Sequence, residues 1–141
     1  MQRHANAQWK GGLQDGTGTI STQSGVLEDT QYSFGTRFEE GRGTNPEELI
    51  GAAHAGCFAM ALSMMLGEEG LTADDIQTRA DVTLDQDDSG FTISAIHLKV
   101  SATIPGADNE TFQRAAENAK AGCPVSKLFN ATITVDAKLD H

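Results

Sequence analysis

The stretch NPEELIGAAHAGCFAMALSMMLGEEG, residues 45–70, decides the reading of this chain. Asn45 suits a helix N-cap. Pro46 suits the first helical position, where its fixed φ helps and its missing N–H costs nothing. Glu48 falls at the third, where its carboxylate closes a capping box. Residues 49–66 then run for 18 positions without a formal charge. Apolar side chains fall nearly all round the helix: Ile50, Ala53, Cys57, Met60, Ala61 and Met64 on one side, Leu49, Phe58, Leu62 and Met65 on others. A helix of this kind is buried on every side. Its length touches the lower limit for crossing a bilayer. Against a membrane span stand His54 and Ser63 inside the run, acids on both flanks, and the lack of aromatic anchors or a basic cluster. The reading is a core helix, packed against a sheet and against another subunit, and stopped by Gly67 and Gly70.

Strands surround this helix in sequence. Residues 5–10 alternate weakly, Gly11-Gly12 is a turn, and residues 16–22 have Thr/Ile strand character loosened by glycine. Residues 31–34 read as a further short strand. Residues 35–44 read as a loop holding Arg37, Phe38, Glu39, Glu40 and Arg42. Downstream, residues 79–85 alternate with Ala80, Val82 and Leu84 inward, and residues 87–90 make a hairpin turn. Residues 91–104 form the longest strand, with Phe91, Ile93, Ala95, His97 and Lys99 on one face and Ile96, Leu98 and Val100 on the other. Residues 109–121 form an amphipathic helix ended by Gly122. A short second helix starts at Cys123-Pro124, and residues 131–139 alternate as a final strand. The order β-β-β-α-β-β-α-β is that of an antiparallel-rich α+β fold, and 141 residues make one domain able to bury a continuous core.

Composition narrows the function. The net charge of −10 comes from 20 acidic residues against 10 basic ones. Such an excess repels phosphates and anionic lipid, so neither nucleic acid nor membrane is expected as a partner. Residues 1–10 hold no apolar core of a secretory signal, and two cysteines are too few for a secreted disulfide scaffold. The expected compartment is the cytoplasm, where a cysteine pair is more often catalytic than structural.

Each candidate side chain carries a plain structural reading beside the chemical one. Cys57, taken alone, is a small buried hydrophobe, and a thiol in apolar surroundings has a raised pKa and is inert unless a cation reaches it. The nearest cations in sequence are Arg37 and Arg42. Cys123 sits at a helix start, where free N–H groups and the helix dipole favour a thiolate; it is otherwise an incidental small residue after Gly122. A buried thiol that can be made anionic, with a second thiol poised to attack it, is the minimum equipment of a peroxide-reducing enzyme. His54 reads as a hydrogen-bonded core histidine, or as a base. With Cys57, His97 and Cys123 it also offers four soft metal ligands, though no CxxC or HxxxH spacing supports them. Glu47 is a first-turn carboxylate on the dipole. Ten residues of straight helix rise roughly 15 Å, so Glu47 and Cys57 serve one site only if a second subunit contributes one of them or the helix breaks. The glycines of residues 16–25 lack the Lys-Ser/Thr ending of a phosphate loop.

Three segments, Thr36-Arg37-Phe38-Glu39, residues 43–58 (GTNPEELIGAAHAGCF) and residues 120–126 (KAGCPVS), resemble the OsmC/Ohr family. The resemblance is closest to its OsmC branch of osmotically inducible bacterial hydroperoxide reductases, and it runs along essentially the whole chain as a single domain, residues 1–141. It implies an OsmC-like α+β fold, in which a curved antiparallel-rich sheet wraps central helices of an intertwined homodimer with active sites at the interface. It also implies a thiol peroxidase of the oxidative and osmotic stress response that prefers organic hydroperoxides. Carried over by position, Cys57 is the peroxidatic cysteine, Cys123 the resolving one, Arg37 the thiolate-stabilising arginine and Glu47 the acid that holds it. The implied cycle passes through a Cys57 sulfenic acid and a Cys57–Cys123 disulfide, reopened by a dithiol, lipoyl-type in the family. It needs no metal, flavin or haem cofactor. Gly56 departs from the alanine usual there but removes no chemical group. The competing readings are a non-catalytic, stress-induced dimer with buried cysteines and a thiolate metal site.

Overall fold

The computed structural model describes residues 1–128 and Thr134. Apart from Thr134, the strand expected over 131–139 lies outside them. The described elements are β1 (Ala5–Lys10), β2 (Thr17–Thr22), β3 (Thr30–Tyr32), α1 (Phe34–Phe38), α2 (Pro46–Glu68), β4 (Asp75–Asp87), β5 (Gly90–Thr103), α3 (Asn109–Gly122) and α4 (Pro124–Lys127). The strands form two antiparallel sheets, β1-β2-β3 and β4-β5, so the class is α+β as expected. The chain gathers into two compact units, each made from two segments: Met1–Ala52 with Asp81–His97, and Ala53–Ala80 with the segment from Leu98 onward.

In the first unit, β1 pairs with β2 and β2 with β3, and the register brings Trp9, Gly18 and Tyr32 into one row. Gly18 belongs there because both rings fold over it: a Cβ at this position would stand 2.5 Å from the Tyr32 ring and 2.7 Å from Trp9. The expected strand over 31–34 ends early and the expected loop over 35–44 opens with a helix. Ser33 and Thr36 explain both. Thr36 Oγ1 accepts the Ser33 N–H at 2.8 Å while Ser33 Oγ accepts the Thr36 N–H, a reciprocal box that turns the chain into α1. Asn45 then caps α2 as expected, accepting the Glu48 N–H at 2.8 Å. Its amide also donates to the Thr36 carbonyl at 3.0 Å, tying α1 to the start of α2.

The second unit holds the core. Phe58, Ala61, Leu62 and Leu66 of α2 pack against Ala115 and Ala119 of α3 and against Cys123. Small residues four apart on α3 share one face and let the two helices approach closely. Full burial of Leu62 and Leu66 stabilises by roughly 2 kcal/mol each. Ile76, Leu98, Val100 and Ile104 close the other side. Asp108, one residue before the helix read from sequence, caps α3 by accepting the Thr111 N–H. Gly70 ends α2: at φ +73 it lets the Leu71 N–H reach the Leu66 carbonyl and its own N–H reach Gly67, a Schellman motif. Gly67 lies inside the last turn.

The sequence reading has α2 buried against a sheet and another subunit; within the described chain one face of it is open. Ala53, Gly56, Met60 and Met64 form an exposed stripe, with Met60 78% and Met64 58% exposed. The sequence put Met60 and Met64 together with Ala61, but burial divides them. Along β5 the inward residues are Ile96, Leu98 and Val100, with His97 and Lys99 outward, as expected; Ile93 departs from the alternation and is half-buried while Ala95 is exposed.

Candidate active site

Cys57 and Cys123 both lie in the second unit, and their sulfurs are 2.9 Å apart. Both are reduced. Cys57 is half-buried on α2; Cys123 is fully buried, as the single residue between α3 and α4. Pro124 explains that junction. The residue before a proline is driven out of helical conformation, and Cys123 has φ −59 and ψ 126. The break leaves free N–H groups at the start of α4, and those of Val125 and Ser126 act to lower the Cys123 thiol.

Two forces act on each thiol. Burial pushes Cys57 up, the hydrogen bond with Cys123 adds to this, and the Val125 N–H offsets only part. Burial also pushes Cys123 up, but bonds from Cys57, from the Ser126 and Val125 N–H groups and from the Ser126 hydroxyl outweigh it, so its thiol lies below the ordinary value. Heavy-atom geometry draws Cys123 as the donor to Cys57.

His54 lies one turn before Cys57 on α2 and is 6% exposed. Its Nε2 is 2.9 Å from Ser126 Oγ, which makes it the hydrogen-bonded core histidine of the sequence reading. Burial lowers its pKa from the ordinary imidazole value. Ser126 appeared in the sequence only within the KAGCPVS segment, with no role attached. Its S-K-L context gave no signal that it faces a histidine 72 residues earlier. Among the described residues no group of three or more His, Cys, Asp or Glu side chains is gathered as a metal site.

Arg37 and Glu47 belong to the first unit and are paired there. Arg37 donates through Nε at 3.0 Å and Nη2 at 2.9 Å, both to Glu47 Oε1. The fork therefore closes on one oxygen rather than two, and Oε2 is buried with no partner among the described residues. The Arg37 guanidinium also lies 5.3 Å over the Phe38 ring, which stacks with Phe34 at 4.9 Å and Phe91 at 4.7 Å. Arg37 thus stands on α1, a helix not foreseen from sequence, with its head fixed by α2. Trp9, Leu13, Tyr32, Phe34, Phe38 and Arg37 line an open cavity of about 260 Å³. Phe38 lines this cavity, whereas Phe58 is core and Met60 and Met64 face outward.

Comparison with known proteins places this arrangement. The family model for OsmC-like proteins matches residues 39–138. The chain is 54% identical over 139 residues to Peroxiredoxin OsmC of Escherichia coli (strain K12), covering 99% of this chain and 97% of that one. It is 29% identical over 123 residues to the organic hydroperoxide resistance protein OhrB of Bacillus subtilis (strain 168), covering 86% and 88%. The crystal structure of B. subtilis OhrB superposes with a TM-score of 0.65 at 29% identity, covering 88% of each chain. The crystal structure of an OsmC-like protein from Mycoplasma pneumoniae shares the fold at a TM-score of 0.71 with 12% identity, covering 92% of this chain and 88% of that one. With the two sulfurs in contact and a match along nearly its whole length, this chain belongs to the OsmC-like protein family.

Proposed function

We propose that this protein is a cysteine-based peroxidase that reduces organic hydroperoxides to alcohols, with Cys57 as the attacking thiol and Cys123 as the resolving one. The observation that carries the reading is the pair of reduced sulfurs 2.9 Å apart. A disulfide needs about 2.05 Å, so closing the bond takes a shift of about 1 Å. Exposure supports the assignment, because Cys123 is fully buried and Cys57 is the sulfur a peroxide can reach.

The Cys57 thiolate attacks one peroxide oxygen and the O–O bond breaks. The departing alkoxide takes up a proton to leave as alcohol, and Cys57 is oxidised to the sulfenic acid. Cys123 sulfur then attacks Cys57 sulfur, the S–O bond breaks, and water leaves as the disulfide forms. A dithiol reductant, lipoyl-type by family resemblance, reopens it by exchange.

Because burial raises the Cys57 thiol, that sulfur needs a cation. Arg37 is the candidate: Glu47 fixes it through Nε and Nη2, and its Nη1 has no hydrogen-bond partner among the described residues. Helix α2 is continuous from Pro46 to Glu68, so Glu47 and Cys57 are separated by roughly 15 Å of helical rise. The reading therefore includes a homodimer in which the Arg37–Glu47 pair of one subunit serves Cys57 of the other, with the exposed α2 stripe as part of the interface. The aromatic cavity beside Arg37 supports an organic rather than a fully polar peroxide. The expected compartment is the cytoplasm.

Single-cysteine variants test the roles. Cys123→Ser treated with one equivalent of cumene hydroperoxide should gain one oxygen on Cys57, readable by intact mass and a sulfenic-acid trap. Cys57→Ser should leave the peroxide unconsumed. Turnover by Cys57→Ser would reverse the assignment.

A further inference from the structure

His54 is a buried titratable side chain that the peroxidase steps above do not use. Its Nε2 lies 2.9 Å from the hydroxyl oxygen of Ser126, 72 residues away. The other ring nitrogen, Nδ1, is buried with no hydrogen-bond partner among the described residues. A buried N–H without an acceptor is a rarer and costlier defect than a bare ring nitrogen. His54 therefore carries its proton on Nε2 and donates it to Ser126 Oγ.

The place of this bond in the fold gives it a role. His54 and Cys57 stand three residues apart on α2, and so on one face of it. Cys123 and Ser126 stand three apart at the start of α4. His54 meets Ser126 at 2.9 Å and Cys57 meets Cys123 at 2.9 Å, so the two contacts are successive rungs of one antiparallel crossing. A thiol is a weak donor and holds its own rung poorly. Packing adds little: α4 has four residues, none of them fully buried, its N-cap Cys123 makes no side-chain capping bond, and Val125 rests against the core only in part.

The geometry points to His54 and Ser126 as a clamp that ties α4 to α2 and keeps the Cys123 sulfur within reach of the Cys57 sulfur for the resolving step. Both are positioning residues, and the inference rests on the roles given above to Cys57 and Cys123. In that step the Cys123 sulfur bonds the Cys57 sulfur, the S–O bond of the sulfenic acid breaks, and the hydroxide leaves as water with the Cys123 thiol proton. The competing fate of the sulfenic acid is a second hydroperoxide, which gives up one oxygen to form the sulfinic acid and leaves as alcohol. The clamp favours the first fate over the second.

The test separates the steps. One equivalent of cumene hydroperoxide is added to fully reduced protein, and sulfenic acid and disulfide are followed by rapid quench and intact mass. In Ser126→Ala and in His54→Leu, disulfide formation should slow by about fivefold, the population change for losing one intramolecular hydrogen bond, while sulfenic acid forms at the wild-type rate. With excess hydroperoxide, the ratio of sulfinic acid to disulfide should rise by the same factor. Ser126→Thr, which keeps the hydroxyl, and His54→Gln, whose amide N–H can replace Nε2–H, should restore the wild-type ratio. An unchanged ratio in both Ser126→Ala and His54→Leu would overturn the clamp. So would equal slowing of both steps alongside a lower urea midpoint, the mark of a purely structural role. Wild-type protein that forms the sulfenic acid but never the disulfide would overturn the resolving role of Cys123, and the clamp with it.

Discussion

Arg37 grips Glu47 with two nitrogens on a single oxygen, at 3.0 and 2.9 Å, and leaves the other carboxylate oxygen buried without a partner among the described residues. The Glu47 side chain is 12% exposed and Arg37 38%, so the pair is set into the surface rather than sealed in the core. Solvent screening limits its stability contribution to about 1 kcal/mol or less. Its importance lies in fixing a cation, and the two effects separate experimentally. Arg37→Ala should lower kcat/KM for cumene hydroperoxide by about a hundredfold, the range for losing a preorganised charge donor, while the urea midpoint moves little. Glu47→Gln should give a smaller loss in the same direction. Activity within twofold of wild type in Arg37→Ala would remove the arginine from the mechanism.

The exposed stripe of α2 predicts the assembly. Met60 and Met64 are large apolar side chains facing outward from the second unit, beside Ala53 and Gly56. Such a face is covered in a stable protein by another surface. Light scattering should give twice the 14.9 kDa chain mass. Met60→Asp should shift the protein toward monomer and reduce peroxidase activity together with dimer content. A monomeric wild type with full activity would contradict the shared-site arrangement.

Two glycines at the C-terminal end of α2 should respond to alanine with opposite signs. Gly67 has no heavy atom within 4 Å of an added Cβ and lies inside the last turn of the helix, so Gly67→Ala should stabilise by about 0.5–1 kcal/mol. Gly70 also has open space, but its φ of +73 is left-handed. Gly70→Ala should therefore destabilise by about 1–2 kcal/mol from backbone conformation alone. Chemical denaturation checks both, and equal shifts would contradict the assignment of Gly70 as the helix stop.

His54 gives a pH prediction. Burial holds its folded pKa below the ordinary 6.5, so the unfolded chain takes up this proton at higher pH than the folded one. The stability that neutral His54 contributes is fully present above the unfolded pKa, and is lost as pH falls from there through the lower folded pKa. Urea midpoints measured from pH 7.5 downward should fall less steeply in His54→Gln than in wild type. Identical slopes would mean that His54 takes up its proton equally in both states.

The sequence carried the elements that rest on local chemistry. Asn45, Pro46 and the long uncharged run define α2, and the alternation of Ala80, Val82 and Leu84 places β4. The Gly122-Cys123-Pro124 break separates α3 from α4. The roles of Cys57, Cys123, Arg37 and Glu47 came through motif resemblance, and the structure puts each pair in contact. What stayed hidden depends on contacts distant in sequence or on marginal local signals. Helix α1 has five residues, one of them glycine, and is started by the Ser33–Thr36 box rather than by periodicity. An apolar run on all faces cannot say which face stays open, so the exposure of Met60 and Met64 was not legible. Ser126 meets His54 only because α4 begins at Pro124 and turns its first residues onto α2.

Intact mass with free-thiol titration, after one equivalent of cumene hydroperoxide is added to fully reduced protein, tests the central claim most directly. The account predicts rapid loss of both thiols and a mass lower by two hydrogens, with the new bond mapped between Cys57 and Cys123. Two unchanged thiols in folded, reduced protein would contradict it and leave the cysteines as packing.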